Sequence, residues 1–334
     1  MNQLSSKSLE QTKTKFDNMF NRIGLAKKEI NSLVFGQNEV IDLILVSILS
    51  EGHALLVGLP GLAKTRIVNF LSIILGLEAK RIQFTPDLMP ADIIGSEILE
   101  DISNNNNRFK FLKGPIFSQF LLADEINRAS PRTQSALLQA MQEKRVTIAG
   151  INYDLPKPFH VLATQNPIDQ EGTYPLPEAQ LDRFLMNIKI SYPDLNSEKK
   201  ILELSTDSLE KLPKNIISFT QLLEIQSFIK KIPVGESLIK YILEVITNSR
   251  PETSKVKSVK DNVLWGPSPR ASLALLSASR SKAFLDNRYS PSIFDVQSLI
   301  KPILIHRMNL NISAKSEGIK INEILNDVID NIEY

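Results

Sequence analysis

At 334 residues the chain exceeds the usual size of one hydrophobic core, which predicts two domains. Its 39 basic and 37 acidic residues leave a formal charge of +2, without the broad basic footprint of a dedicated nucleic-acid binder, and 43% hydrophobic content suits a soluble globular chain. Zero cysteines exclude disulfides, thiolate metal sites and cysteine nucleophiles, and fit a reducing compartment.

The N-terminus lacks an apolar signal region, and the most apolar stretch, Ile41 to Ile48, contains Asp42 and is ended by Glu51. It is too short to span a bilayer, so a soluble cytoplasmic protein is expected. His53, His160 and His306 are widely spaced and form no metal-ligand motif.

Residues 1–33 read as a helix with a weak apolar stripe through Phe16, Met19, Phe20, Ile23 and Ile30. A turn over residues 34–37 feeds a second helix from Glu39 to Ser50. The apolar run Ala54 to Val57 then stops at a Gly/Pro-rich loop, Gly58 to Thr65 (GLPGLAKT), which opens into a helical pattern reaching Leu75 and capped by Gly76. Strand, glycine loop and helix form a phosphate cradle: glycines turn backbone N–H groups inward, and the helix adds its positive dipole end. Lys64 then reaches the β- and γ-phosphates, and Thr65 places its hydroxyl on Mg²⁺. The strict pattern has glycine before the lysine, where this chain has Ala63.

A second strand is expected over 81–84 and a short helical turn over 91–95. A hairpin follows, from strands at 96–99 and 109–111, with the run from Ser103 to Asn107 as its turn. Phe120 to Ala123 is a buried-strand signal ending in Asp124 and Glu125. One carboxylate suits the metal, and the other suits a general base for the attacking water. Ser130 and Pro131 open a helix, and strands at 146–149 and 152–155 form a second hairpin around Gly150. Strand 160–164 ends at Asn166, whose amide can contact the γ-phosphate and the lytic water. A helix-like segment at 176–184 carries Arg183, and Met186 to Ile190 closes the sheet.

Alternating strands and helices indicate a mostly parallel α/β sheet. Beyond Pro193 the patterns are helical, at about 198–206, 219–230, 237–249, 269–286, 291–308 and 321–332, with an extended segment at 256–264. Ser268 and Pro269 read as N-cap and first helical position, which puts Arg270 in a helix's first turn.

Over nearly its whole length the chain resembles the MoxR family of AAA+ ATPases. The carrying segments are GLPGLAKT at 58–65, QFTPDLMPADIIG at 83–95, KGP at 113–115, LADEINR at 122–128, ATQNP at 163–167, LPEAQLDRF at 176–184 and PSPR at 267–270. The resemblance implies a P-loop αβα sandwich over 1–193, with hairpin inserts at about 96–112 and 146–155, and an all-α lid over 194–334. It makes Lys64 and Thr65 the Walker A pair, Asp124 and Glu125 Walker B, Asn166 sensor 1, Arg183 an arginine finger serving a neighbouring subunit, and Arg270 sensor 2. ATP contacts fall to Gly36 and Gln37 at the adenine, to Gly58, Leu59, Pro60, Gly61, Leu62, Ala63, Lys64, Thr65 and Arg66, and to Asp124. Thr65 and Asp124 hold Mg²⁺. The family tolerates alanine before the Walker A lysine.

The function so implied is Mg²⁺-dependent ATP hydrolysis by a ring, most simply a hexamer, with a chaperone-like role in remodelling a protein complex. A von Willebrand factor A domain protein is the implied partner. A nucleic-acid translocase and a metal-chelatase motor use the same core, and a nucleotide-gated scaffold needs neither Glu125 nor Arg183. Against the translocase stand the near-neutral charge and the sparse basic residues by the hairpins, Arg108, Lys110 and Lys113.

Overall fold

The computed structural model describes residues 2–102, 106–168, 172–205 and 212–332. The chain forms two compact units, one of 51–72 with 77–192, the other of 1–50, 73–76 and 193–334.

The first unit is built on β1 (Ala54–Val57), β2 (Ala79–Gln83), β5 (Phe120–Asp124), β8 (His160–Gln165) and β9 (Met186–Lys189), with hairpin strands β3 (Gly95–Ile102), β4 (Asn106–Lys113), β6 (Arg145–Ile148) and β7 (Ile151–Asp154) between them. The five-stranded sheet is parallel throughout, in the order β2-β5-β8-β1-β9. Its central strands, ALLV, FLLAD and HVLATQ, are nearly continuous apolar runs, as expected of strands buried on both faces. Val57 pairs with both Gln165 and Lys189, and Ala123 with Ala163, so the carboxyl ends of neighbouring strands lie side by side. Leu55, Leu121, Ala123, Val161 and Ala163 join Leu137, Leu138 and Met141 of the helix Pro131–Glu143 in one core.

Both hairpins form as expected; the first is longer, and the second keeps four-residue strands set one position earlier, at Arg145–Ile148 and Ile151–Asp154. Asn106 and Asn107, expected in the first turn, pair with Ile102 and Asp101; residues 103–105 of that turn lie outside the described residues. Backbone pairing that starts at Gly95↔Lys113 continues to Ile102↔Asn106. Phe111 and Tyr153, with ring centroids 4.4 Å apart, bring the two hairpins together. The helix-like segment at 176–184 shrinks to Glu178–Leu181, because Pro175 and Pro177 delay its start.

In the second unit the helix Asn2–Leu33 packs with the C-terminal helices. Residues 1–50, expected with the nucleotide-binding core, therefore cluster with residues 193–334. The cause is aromatic: Phe16 lies 4.7 Å from Phe228, 5.6 Å from Phe284 and 4.3 Å from Tyr289, and Phe20 lies 4.6 Å from Phe284. Gln226 Nε2 also donates to the Ile48 carbonyl (2.7 Å) at the end of the helix Asn38–Leu49. The extended segment expected at 256–264 is instead a helix, Lys257–Asn262, leading into strand Val263–Trp265, which pairs antiparallel with Asn309–Leu310. Val256, Val259 and Val263 are all buried, at helical rather than alternating spacing.

No helix of the described residues is long and apolar enough to cross a membrane.

Candidate functional site

The loop after β1 and the ends of β5 and β8 converge. Gly58 is required by close approach, since a Cβ there would stand 2.1 Å from Ile190 Cγ2 and 2.6 Å from the Ile190 carbonyl oxygen. Gly61 and Ala63 both take left-handed backbone, φ +82° and +57°, so the alanine occupies a conformation that favours glycine. Leu62 is buried beneath the loop. The helix Lys64–Ile74 starts at its end, and Lys64 Nζ donates to the Gly58 carbonyl (2.5 Å). Partial burial holds the Lys64 ammonium pKa below its usual range, with Asp124 and Glu125 opposing the shift.

Both carboxylates at the end of β5 are held by neighbours. Asp124 Oδ1 accepts from the Thr164 hydroxyl (2.5 Å), and Oδ2 accepts from Arg81 Nη2 (2.7 Å) and Nε (3.2 Å). Glu125 has left-handed backbone, φ +57° and ψ +48°, stabilised by its N–H donating to Thr164 Oγ1 (2.9 Å). Its Oε2 accepts from Gln83 Nε2 (2.7 Å) and pairs with Arg128 Nε (3.1 Å). Asn166, buried at the end of β8, turns its Oδ1 to the Ile168 N–H (3.2 Å).

These groups line one cavity of about 450 Å³: Pro60, Gly61, Ala63, Lys64, Thr65 and Arg66 on one side, and Arg81, Gln83, Asp124, Glu125 and Asn166 on the other. The volume is that of a small-molecule site. Thr65 is half-buried, and its hydroxyl makes no hydrogen bond among the described residues. A hydroxyl and a carboxylate are hard oxygen donors of the kind Mg²⁺ takes, with waters completing its shell. No cluster of three or more His, Cys, Asp or Glu side chains suited to a metal occurs among the described residues.

The other expected site residues lie elsewhere. Arg183, just past the helix Glu178–Leu181, is half-buried, does not line the cavity, and makes no ion pair among the described residues. Gly36, Gln37 and Arg270 belong to the helical unit. Gly36 has φ +72°, and a Cβ there would meet Pro193 Cβ at 2.5 Å; Gln37 is buried. Arg270 sits exposed in the first turn of the helix Pro269–Leu285, behind the Ser268 cap, and its N–H donates to Ser268 Oγ (3.3 Å).

Arg81, Gln83, Arg128 and Thr164 were not singled out by the sequence. The available signal was a strand, β2, whose residues 81 and 83 are polar on either side of the buried Ile82.

Residues 53–186 match the ATPase family associated with various cellular activities (AAA), and residues 257–328 match the AAA lid domain. The chain is 40% identical over 313 residues to the uncharacterized protein YeaC of Bacillus subtilis, covering 93% of this chain and 94% of that protein. It is 41% identical over 305 residues to Chaperone MoxR1 of Mycobacterium tuberculosis, covering 91% of this chain and 80% of that protein. A crystal structure from Cytophaga hutchinsonii, described as a "putative ATPase", superposes with TM-score 0.91 at 41% identity, covering 98% of each chain.

Proposed function

The chain belongs to the MoxR family of AAA+ ATPases, and from that membership we propose that it hydrolyses ATP with Mg²⁺, as a ring that remodels or matures a protein complex. The observation that carries the reading is the convergence of Lys64, Thr65, Asp124, Glu125 and Asn166 on one cavity.

Each group has a task in phosphoryl transfer to water. Loop N–H groups and the helix N-terminus bind phosphate oxygens, and Lys64 exchanges the Gly58 carbonyl for the β- and γ-phosphates. Thr65 and Asp124 would hold Mg²⁺, which when bound neutralises charge on those oxygens. Glu125 accepts the proton of the water that attacks the γ-phosphorus, as the bond to the β–γ bridging oxygen breaks and ADP leaves. Asn166 orients that water. Arg183 lies outside the cavity, consistent with service to a neighbouring subunit's nucleotide, and Arg270 acts as sensor 2.

A protein client is favoured over nucleic acid by the first hairpin. Leu99 and Phe109 face each other across its strands with 53% and 69% of their surfaces exposed, an apolar pair on a projecting element. A von Willebrand factor A domain protein is the proposed partner.

ATP binding and turnover by two variants test the reading. Lys64→Ala should lose nucleotide binding. Glu125→Gln should bind ATP yet turn over at least ~100-fold more slowly, trap the assembled ring, and capture the client in a pull-down. Wild-type turnover by Glu125→Gln would remove the assignment.

A further inference from the structure

Asp124 offers two carboxylate oxygens, and both are engaged. Thr164 holds Oδ1, and Arg81 holds Oδ2 through two guanidinium nitrogens. Arg81 lies on the edge strand β2, beside β5, and shares a strand face with Gln83, whose Oε1 accepts from Arg81 Nη2 (2.7 Å). Ile82 between them is buried on the opposite face. The Asp124 side chain is only 14% exposed, whereas that of Arg81 is half exposed, and Arg81 lines the same cavity as Lys64 and Thr65. The carboxylate is therefore the fixed member of the pair, and the guanidinium the one with room to leave.

We propose that Arg81 competes with the divalent cation for Asp124, and so sets the Mg²⁺ concentration at which the site takes up nucleotide. The inference rests on the nucleotide reading above. A guanidinium and a metal ion drawn to the same Oδ2 are like charges a few ångströms apart and repel. Whatever free energy the Arg81–Asp124 pair holds is subtracted from metal binding. The half-exposed arginine makes that quantity modest, so the pair tunes metal affinity without abolishing it.

The test is binding of a fluorescent ADP analogue to the full chain, first in EDTA and then titrated with Mg²⁺. For Arg81→Gln the Mg²⁺ concentration at half-maximal effect, measured from each variant's own affinity in EDTA, should fall roughly three- to five-fold. Arg81→Lys, which keeps the charge but not the fork, should fall less, about two-fold, and carries the test if Arg81→Gln does not fold. An unchanged or higher Mg²⁺ midpoint in the folded variants overturns the competition, because Arg81 would then only brace Asp124. If the wild-type protein binds no ADP analogue with or without Mg²⁺, the nucleotide reading itself falls and this inference with it.

Discussion

The Thr164 hydroxyl lies 2.5 Å from Asp124 Oδ1, and its oxygen also accepts the Glu125 N–H. One side chain from β8 thus fixes the carboxylate proposed for the metal and the backbone of the proposed base. Thr164 is fully buried, so no water can replace it. Thr164→Val keeps the shape, removes the donor, and leaves the Glu125 N–H unpaired. Turnover at saturating ATP and Mg²⁺ should fall about 10- to 100-fold, while Thr164→Ser stays within about three-fold of wild type. Equal activity of Thr164→Val and wild type would show that Asp124 and Glu125 need no such support.

Ala63 carries a strain that glycine would relieve. At φ +57° its Cβ crowds the following carbonyl; glycine removes that cost, and the gain is partly offset because glycine makes the unfolded chain more flexible. Ala63→Gly should therefore stabilise the protein by about 0.5–1 kcal/mol, visible as a higher urea midpoint, with nucleotide binding retained. A lower midpoint would mean the loop relaxes out of the left-handed region in solution.

How far the site was legible follows from where each contact is encoded. The loop at 58–65, Asp124, Glu125 and Asn166 are strand-end features, readable because an apolar run stops at a polar group. Arg81, Gln83 and Thr164 act across strands: their partners lie about forty residues away and meet them only through the order β2-β5-β8. One strand cannot announce such a pairing. The same holds for residues 1–50, whose destination depends on Phe16 and Phe20 meeting Phe228, Phe284 and Tyr289. Around Lys257–Asn262, where an extended segment was expected, the buried Val256, Val259 and Val263 recur at helical spacing.

Arg183 has no ion pair among the described residues and stands outside the cavity of its own chain. If it completes a neighbour's site, its loss should separate binding from chemistry. Arg183→Ala should bind ATP within about two-fold of wild type and lose turnover by at least ~1,000-fold, the scale of an arginine finger. Mixed with wild-type subunits, it should depress activity more than its share of the mixture. Normal turnover by the variant, or simple dilution in the mixture, would remove the trans role.

Two buried histidines make stability fall in mild acid. Burial pushes His53 down to about 4, the Met141 carbonyl partly opposing and Lys144 adding to the shift. His160, 5.9 Å away, is held well below its ordinary range by burial first and then by His53. In the unfolded chain both titrate near 6.5. Between pH 6.5 and about 4 the unfolded state therefore binds protons that the folded state refuses, and stability drops as pH falls. The contribution is complete above 6.5, and His53 alone accounts for about 3 kcal/mol across that window. Urea midpoints at pH 7.5 and pH 5 measure the loss. His160→Leu removes one of the two groups and should shrink it; a variant with the same acid sensitivity as wild type would remove His160 from the account.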